Sequence, residues 1–218
     1  MELSPEGVDR LQAQWWALLR PTGIEAVAAY AAFDNLAARY GEPHRHYHTL
    51  EHIAEMLRVV PRLAAPGASL PAVPLAVWFH DAICDPRSDT NEAESGRYAE
   101  RTLSGLGLPT SAIAEVVGLI LSTDHRIVLG RDATVQHRIL HDADLAILGA
   151  SAERYDRYAA DIRKEYAWVP EERYRAGRRG VLQRFLDATT TIFLTERMHA
   201  EGEEAARRNL AREIEGLA

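Results

Sequence analysis

Apolar residues recur at three- and four-residue intervals along nearly the whole chain, and this spacing predicts amphipathic helices. Ser4-Pro5-Glu6 has the composition of a helix start, and Leu11, Trp15 and Leu18 follow it at helical spacing. Alternation of the kind that indicates a strand never extends beyond a few residues. The pattern therefore predicts an all-α fold, a compact single-domain helical bundle that covers residues 1–218.

Proline and glycine mark the predicted helix boundaries. Gly41-Glu42-Pro43 ends the second helix, Pro61 ends the third, and Pro74 opens the short helix that follows. After the first helix, the predicted ranges are 23–40, 48–60, the helix from 74, then 90–106, 109–122, 132–146, 151–166, 170–195 and 201–217.

Composition and charge argue against some classes of binding partner. A formal net charge of -7 argues against a general nucleic-acid surface. No apolar stretch is long enough to span a bilayer, and residues 1–10 lack the features of a signal peptide. Cys84 is the only cysteine, which is compatible with a reducing compartment. We expect a cytoplasmic protein with no nucleic-acid or membrane partner; its oligomeric state stays open, a homodimer included.

The dipeptide His80-Asp81 ends the apolar run over residues 73–79, a placement that calls for a specific partner. Burying ionisable side chains is costly unless they are paired or bind a metal. Upstream, His48 and His52 are four residues apart, which places them on one face of a predicted helix. Isolated pairs of this kind are more often surface histidines, but this pair follows His44 and precedes the His-Asp dipeptide by a modest spacing.

Downstream, the segment 141–144 adds two aspartates, Asp142 and Asp144. Two histidines and two aspartates would provide an octahedral site with two positions left for water or phosphate oxygens. Such mixed ligands accept manganese, iron, cobalt, nickel, zinc and, less well, magnesium. We therefore expect a divalent metal cofactor of open identity, with one ion or two.

The order His, His-Asp, Asp resembles the HD superfamily of metal-dependent phosphohydrolases, and most closely a bacterial group of predicted HD-type hydrolases. The resemblance extends from about Tyr47 to the end of the chain. It implies a helical fold of the HD-domain, phosphodiesterase-like type. The metal ligands that it implies are His52, His80, Asp81 and Asp144.

Two assignments within this set have alternatives. The segment from Tyr47 to His52 is similar to a motif of cyclic-nucleotide phosphodiesterases, which implies that His52 binds metal and His48 is the general acid. The opposite assignment stays open. Asp142 and Asp144 lie about 200° apart on a helix and cannot both face one ion. The family pattern Ala-Asp-Leu favours Asp144, and Asp142 would then orient an imidazole.

Further candidates surround this set. Asn91-Glu92-x-x-Ser95 resembles an element of the same bacterial group, in which Glu92 would hold water or act as a base; otherwise Glu92 stabilises a helix start. Asp85 either points toward the site or forms a turn. His125 is a candidate for the substrate phosphate or a second metal. Arg178 and Arg179 are candidates for phosphate binding, although most charges on their helix are expected to face solvent.

The resemblance implies a metal-dependent phosphohydrolase that acts on a nucleotide or another small phosphoester or pyrophosphate through a metal-activated water. Two alternatives come from other functional classes. A non-catalytic sensor would bind a nucleotide or a metal without turnover, and an HD-fold oxygenase would use a di-iron site.

Overall fold

A computed structural model describes residues 3–65, 67, 71–124, 126–127, 129, 133–187 and 191–217. Within these ranges every regular element is a helix and none is a strand, which confirms the predicted all-α fold. None of the described helices is both long and apolar enough to cross a bilayer. The chain divides into two units, Met1–Val128 and Leu129–Ala218, and the single domain expected over residues 1–218 stays a prediction.

The first unit is built around its most apolar helix. Seven of the eight residues of that helix are buried, and the other helices of the unit pack around it. Continuous burial explains why its sequence lacks a polar face. The helices of this unit are α1 (Pro5–Leu19), α2 (Ala26–Tyr40), α3 (Leu50–Leu63), α4 (Ala72–Phe79), α5 (Asn91–Gly105) and α6 (Thr110–Leu121), with a short 3-10 turn at Arg20–Thr22.

Aromatic side chains join α1, α2 and α4. The ring of Trp15 lies 5.5 Å from Trp78 and 6.0 Å from Phe79, in edge-to-face arrangements. Phe33 meets Trp78 in the same way at 5.8 Å. The indole N–H of Trp15 is also satisfied, because it donates to the carbonyl of Ala29 at 2.7 Å. This cluster fixes the end of α4 that leads directly into His80.

Several boundaries in the first unit differ from the sequence prediction. The helix predicted from residue 23 begins at Ala26, because Gly23 adopts a left-handed conformation with a φ of 80° that ends the preceding 3-10 turn. α3 begins at Leu50, with the hydroxyl of Thr49 accepting from the N–H of Glu51, so His48 precedes the helix. Pro61 lies inside the last turn of α3, where a proline is tolerated because it removes a single helical hydrogen bond. Pro74 lies in the first turn of α4, where an N–H has no partner within the helix in any case.

The second unit contains α7 (Val135–Asp144), α8 (Ala152–Glu165), α9 (Glu171–Asp187) and α10 (Glu196–Gly216), with a 3-10 segment at Leu145–Gly149. This segment packs against α10 through small residues and a buried amide. A Cβ built on Gly149 would come within 3.0 Å of the carbonyl oxygen of Gly202. The amide of Asn209 donates to the carbonyls of Leu148 and Ala150, both at 2.9 Å.

The continuous helix predicted over residues 170–195 is wrong, as is the start of the last helix at Glu201. α9 ends at Asp187 and α10 begins at Glu196, with Thr195 as its cap. Between them, the backbone N–H groups of residues 192–195 donate to the carboxylates of Asp142 and Glu203, which takes them out of a helix. The predicted start of α7 at Asp132 lies outside the described residues.

Candidate metal centre

Three side chains converge in the first unit. The Nε2 atoms of His52 and His80 lie 3.3 Å apart. The Oδ2 atom of Asp81 lies 3.0 Å from Nε2 of His80 and 3.9 Å from Nε2 of His52. One ligand atom from each residue falls within 4.8 Å of the other two, so the group could hold a metal ion. We call these three residues the His-His-Asp group.

Local structure explains how the group is assembled. His52 lies in the first turn of α3, behind the Thr49 cap. His80 follows α4 directly, and its backbone N–H still donates to Ala76 as the last helical bond. Asp81 is the next residue, where the chain leaves the helix. The hydrophobic burial of α4 therefore delivers both residues of the His-Asp dipeptide to the N-terminal end of α3.

The tautomer of His80 follows from its second nitrogen. Nδ1 of His80 lies 3.0 Å from the carbonyl oxygen of Val77. A carbonyl only accepts hydrogen bonds, so Nδ1 carries a proton and the neutral ring has its lone pair on Nε2. That lone pair faces the Asp81 carboxylate, which is also an acceptor when ionised. A cation between the two atoms, or a proton on Nε2, would remove their electrostatic repulsion. Donation from Nδ1 to a backbone carbonyl, with Nε2 left for the metal, is usual for a metal-binding histidine.

The group is buried on one side and accessible on the other. The side chains of His52 and His80 are 2% exposed, whereas that of Asp81 is 22% exposed. His48 is 25% exposed and lies on the accessible side, with its Nε2 4.0 Å from Oδ2 of Asp81. The His-His-Asp group contains His52 and not His48, which favours the assignment of His52 as ligand.

Aromatic rings line the buried side. Tyr47 is buried, and its ring lies 5.0 Å from His48 and 4.9 Å from His52. Tyr40 is also buried and donates from its hydroxyl to the carbonyl of Trp78 at 3.0 Å. Burial raises the pKa of Tyr40 well above its usual range, and the negative charge of Asp81 adds to this effect. Tyr40 therefore stays a neutral hydrogen-bond donor beside the group.

Arg45 has a role that the sequence did not predict. Its guanidinium, 1% exposed, donates through Nη1 to the carbonyls of Asp81 at 2.7 Å and His48 at 3.2 Å. Nη2 donates to the carbonyl of Ala82 at 3.1 Å, and Nε donates to the carboxylate of Glu42 at 3.1 Å. One side chain thus joins the backbones of the two histidine motifs.

The other side of the His-Asp segment is held from α5. The hydroxyl of Ser95 bonds both the N–H and the carbonyl of Ile83, at 3.0 and 3.2 Å. The amide of Asn91 does the same for Asp85, at 3.0 and 2.9 Å. The Asp85 carboxylate accepts from the N–H of Arg87, as expected for a turn. Asn91 and Ser95 of the Asn-Glu-x-x-Ser element therefore shape the loop that follows Asp81. Glu92 lies half-buried in the first turn of α5, and its role as a base stays a prediction.

The remaining predicted residues belong to the second unit or lie outside the described residues. Asp144 ends α7 and is partly exposed, and its role as the fourth ligand stays a prediction. Arg178 is nearly buried, donates to Glu213 at 2.8 Å and contacts the hydroxyl of Tyr158. Arg179 is exposed and donates to the carbonyl of Leu217. His125 lies outside the described residues.

Asp142 has a structural role in the second unit. It is fully buried, with one oxygen accepting from the N–H of Leu194 at 2.8 Å. The other oxygen accepts from the N–H and the hydroxyl of Thr195, at 2.7 and 2.6 Å. Its neighbour His141 contacts the carbonyl of Ile192 through Nε2, at 3.1 Å. Both oxygens of Asp142 thus bind the segment at Leu194 and Thr195 rather than an imidazole, and the choice of Asp144 as a metal ligand stays a prediction.

Comparisons of the chain with protein-family models, curated proteins and solved structures return no match. The resemblance to the HD superfamily rests on the sequence motifs and stays a prediction.

Proposed function

We propose that this protein is a metal-dependent phosphohydrolase that acts on a nucleotide or another small phosphoester or pyrophosphate. The observation that carries the proposal is the His-His-Asp group, in which two buried imidazoles and a partly exposed carboxylate converge within 4.8 Å. Imidazole and carboxylate ligands suit manganese, iron, cobalt, nickel and zinc, and magnesium less well. The HD-type motifs around the group supply the phosphohydrolase part of the proposal.

In this proposal His52, His80 and Asp81 hold the ion, and Asp144 is the predicted fourth ligand. When bound, a divalent ion supplies water activation and neutralises charge on phosphate oxygens. The exposed edge of Asp81 leaves access for a substrate, while the buried imidazoles on the other side keep their nitrogens fixed. A second ion stays a prediction, since Asp85 forms a turn and His125 lies outside the described residues.

His48 is the proposed general acid. It precedes α3, is partly exposed and lies beside the accessible oxygen of Asp81, so a substrate bound there can come within reach of its ring. A protonated imidazole in this position donates a proton to the departing oxygen of the substrate. Its backbone carbonyl is fixed by Arg45, which limits how far the ring can move.

Phosphate release from a panel of nucleotides and simple phosphoesters, with added manganese, tests the proposal. We expect wild-type protein to release phosphate, His52→Ala to lose metal and activity, and His48→Ala to keep the metal while turnover falls about 10²-fold or more. His199→Ala is the matched control, because His199 is an exposed histidine of the second unit. It should retain wild-type activity and metal content.

The outcomes separate the candidate functions. Stoichiometric metal with no phosphate release from any substrate would contradict hydrolysis and favour a sensor. Iron bound in pairs, with oxygen-dependent loss of substrate, would favour an oxygenase. An unchanged rate in His48→Ala would remove His48 as the acid while leaving the metal assignment intact.

A further inference from the structure

We propose that Arg45 is a positioning residue of the metal centre. Its guanidinium binds the backbone that carries the side chains of the His-His-Asp group. A single nitrogen, Nη1, bridges the carbonyl of Asp81 at 2.7 Å and the carbonyl of His48 at 3.2 Å. The inference rests on the proposed metal centre and concerns the position of Asp81 relative to the two imidazoles.

The cost of burying Arg45 argues for a specific role. A guanidinium that is 1% exposed has lost nearly all of its hydration and must find acceptors inside the protein. Arg45 finds three backbone carbonyls and the Glu42 carboxylate, and these acceptors lie around the planar fork in several directions. Lysine offers three donors on one atom and cannot span this set.

Two of the carbonyls that Arg45 binds belong to Asp81 and Ala82, so Arg45 acts on the backbone that carries a proposed metal ligand. Asp81 and Ala82 lie just beyond α4, where the backbone leaves the helix through a turn bond from the N–H of Ala82 to the carbonyl of Phe79 at 3.0 Å. The direction of the Asp81 side chain therefore also depends on contacts from outside the helix. Arg45 supplies them on one side of this segment. The preceding residue His44 adds a contact between its Nε2 and the carbonyl of Cys84, at 2.7 Å.

Tyr40 extends the same pattern to the carbonyl of Trp78, inside α4. Residues 40–45 thus hold four carbonyls between residues 78 and 84. Because Nη1 of Arg45 also binds the carbonyl of His48, movement of the Asp81 backbone is tied to that of the His48–His52 segment. Removal of the guanidinium should leave every metal ligand present but let Asp81 drift away from the two imidazoles.

Cobalt binding to purified full-length protein tests this role without any substrate. Calorimetry with Co²⁺ gives the affinity, and the visible absorption of the bound Co²⁺ reports the ligand geometry. We expect Arg45→Met to bind Co²⁺ about 10- to 100-fold more weakly, with an altered spectrum, as is usual when a group that orients metal ligands is lost. Arg45→Lys should give a smaller loss in affinity and a spectrum nearer to that of the wild type.

Two controls separate positioning from stability. Arg39→Met makes the same change at an arginine that stacks on Tyr98 in the same unit, and Leu36→Ala truncates a fully buried side chain of α2. Both should keep wild-type Co²⁺ affinity and spectrum, although Leu36→Ala unfolds more easily. If Leu36→Ala weakens binding as much as Arg45→Met, the effect is one of general stability and the inference is overturned.

The remaining outcomes are also distinct. Wild-type affinity and spectrum in Arg45→Met overturn the inference and leave the proposed function intact. If Arg45→Met does not fold, Arg45→Lys carries the test, and wild-type binding in that variant overturns the inference. Wild-type protein that binds no Co²⁺ overturns both proposals. Normal Co²⁺ binding without phosphate release contradicts hydrolysis but not the role of Arg45.

Discussion

Ionisable side chains are buried in both units, but their polar atoms have different partners. The first unit buries the His-His-Asp group, and the second buries the carboxylates of Asp142 and Glu203 against residues 192–195. In the second unit, the oxygens of Asp142 and Glu203 point at backbone N–H groups of residues 192–195. In the first unit, two ring nitrogens and a carboxylate oxygen point at one another.

This is the difference that we expect between a structural use of buried charge and the proposed metal binding. A carboxylate that receives several N–H donors is already compensated, and its role is to shape the chain. In the first unit, the lone pair on Nε2 of His80 faces the carboxylate of Asp81, an arrangement that a cation would stabilise. Arg45, Asn91 and Ser95 hold the backbone of the segment around the group.

Asp142→Ala should reduce the free energy of unfolding by about 3–5 kcal/mol, because it leaves buried N–H groups of Leu194 and Thr195 without acceptors. Urea denaturation measures this loss. Asp156→Ala is the matched control, since Asp156 forms an exposed ion pair with Arg212 and should contribute little. A loss below about 1 kcal/mol in Asp142→Ala would show that Asp142 does not hold the segment at Leu194 and Thr195.

Metal should stabilise the wild-type protein through the His-His-Asp group. Manganese at about 100 times its Kd should add about 2.7 kcal/mol to the free energy of unfolding, and a chelator should reverse the gain. His80→Ala should show no gain, while the surface variant His199→Ala should behave like the wild type. Equal stabilisation of His80→Ala would place metal binding elsewhere.

Ser95→Ala should reduce the free energy of unfolding by about 1–3 kcal/mol, because the N–H and carbonyl of Ile83 lose their shared partner. Ser104→Ala changes an exposed serine of the same helix and should have little effect. Thermal denaturation of the two variants compares them directly. Equal behaviour would show that α5 does not hold the His-Asp segment.

The smallest effect concerns acid stability. Burial by itself raises the pKa of Glu203, but the N–H groups of Ile192 and Phe193 and the Arg207 guanidinium outweigh it, so the pKa is below its ordinary value of 4.5. The carboxylate therefore stabilises the fold above this value, and the contribution is lost as pH falls toward the lowered pKa. One proton limits the slope to about 1.4 kcal/mol per pH unit.

Denaturation of the wild type and Glu203→Gln between about pH 3 and pH 6 measures this contribution. The gap between the two stability curves should be widest near pH 6 and narrow toward pH 3. Asp142 should not contribute to this loss of stability at low pH, because burial raises the pKa of its carboxyl despite the hydrogen bonds from Thr195 and Leu194. Parallel curves for the two proteins would show that Glu203 does not titrate differently in the folded state.

The sequence predicted the parts of the molecule that depend on local pattern. The apolar run that forms α4, its end at His80 and the start of α1 at Ser4-Pro5 follow from burial and capping, which leave local signals. The pairing of His52 with the His-Asp dipeptide came from motif resemblance, and the structure brings these residues together.

The rest depends on contacts between distant residues. Arg45 binds carbonyls 36 and 37 positions away, and carbonyls are present at every residue, so no sequence signal marks them. The interruption after α9 arises because Asp142, more than 50 positions earlier in the chain, accepts the N–H groups of Leu194 and Thr195. The place of His48 outside α3 was missed although Thr49 is a recognisable cap.

The metal content of purified protein decides whether the His-His-Asp group is a metal centre. It is measured by mass spectrometry for the wild type and His52→Ala after incubation with manganese and removal of unbound ions. We expect at least one ion per wild-type chain and close to none in His52→Ala, with the same helical content in the two proteins. Full occupancy in His52→Ala, or none in the wild type, would contradict it.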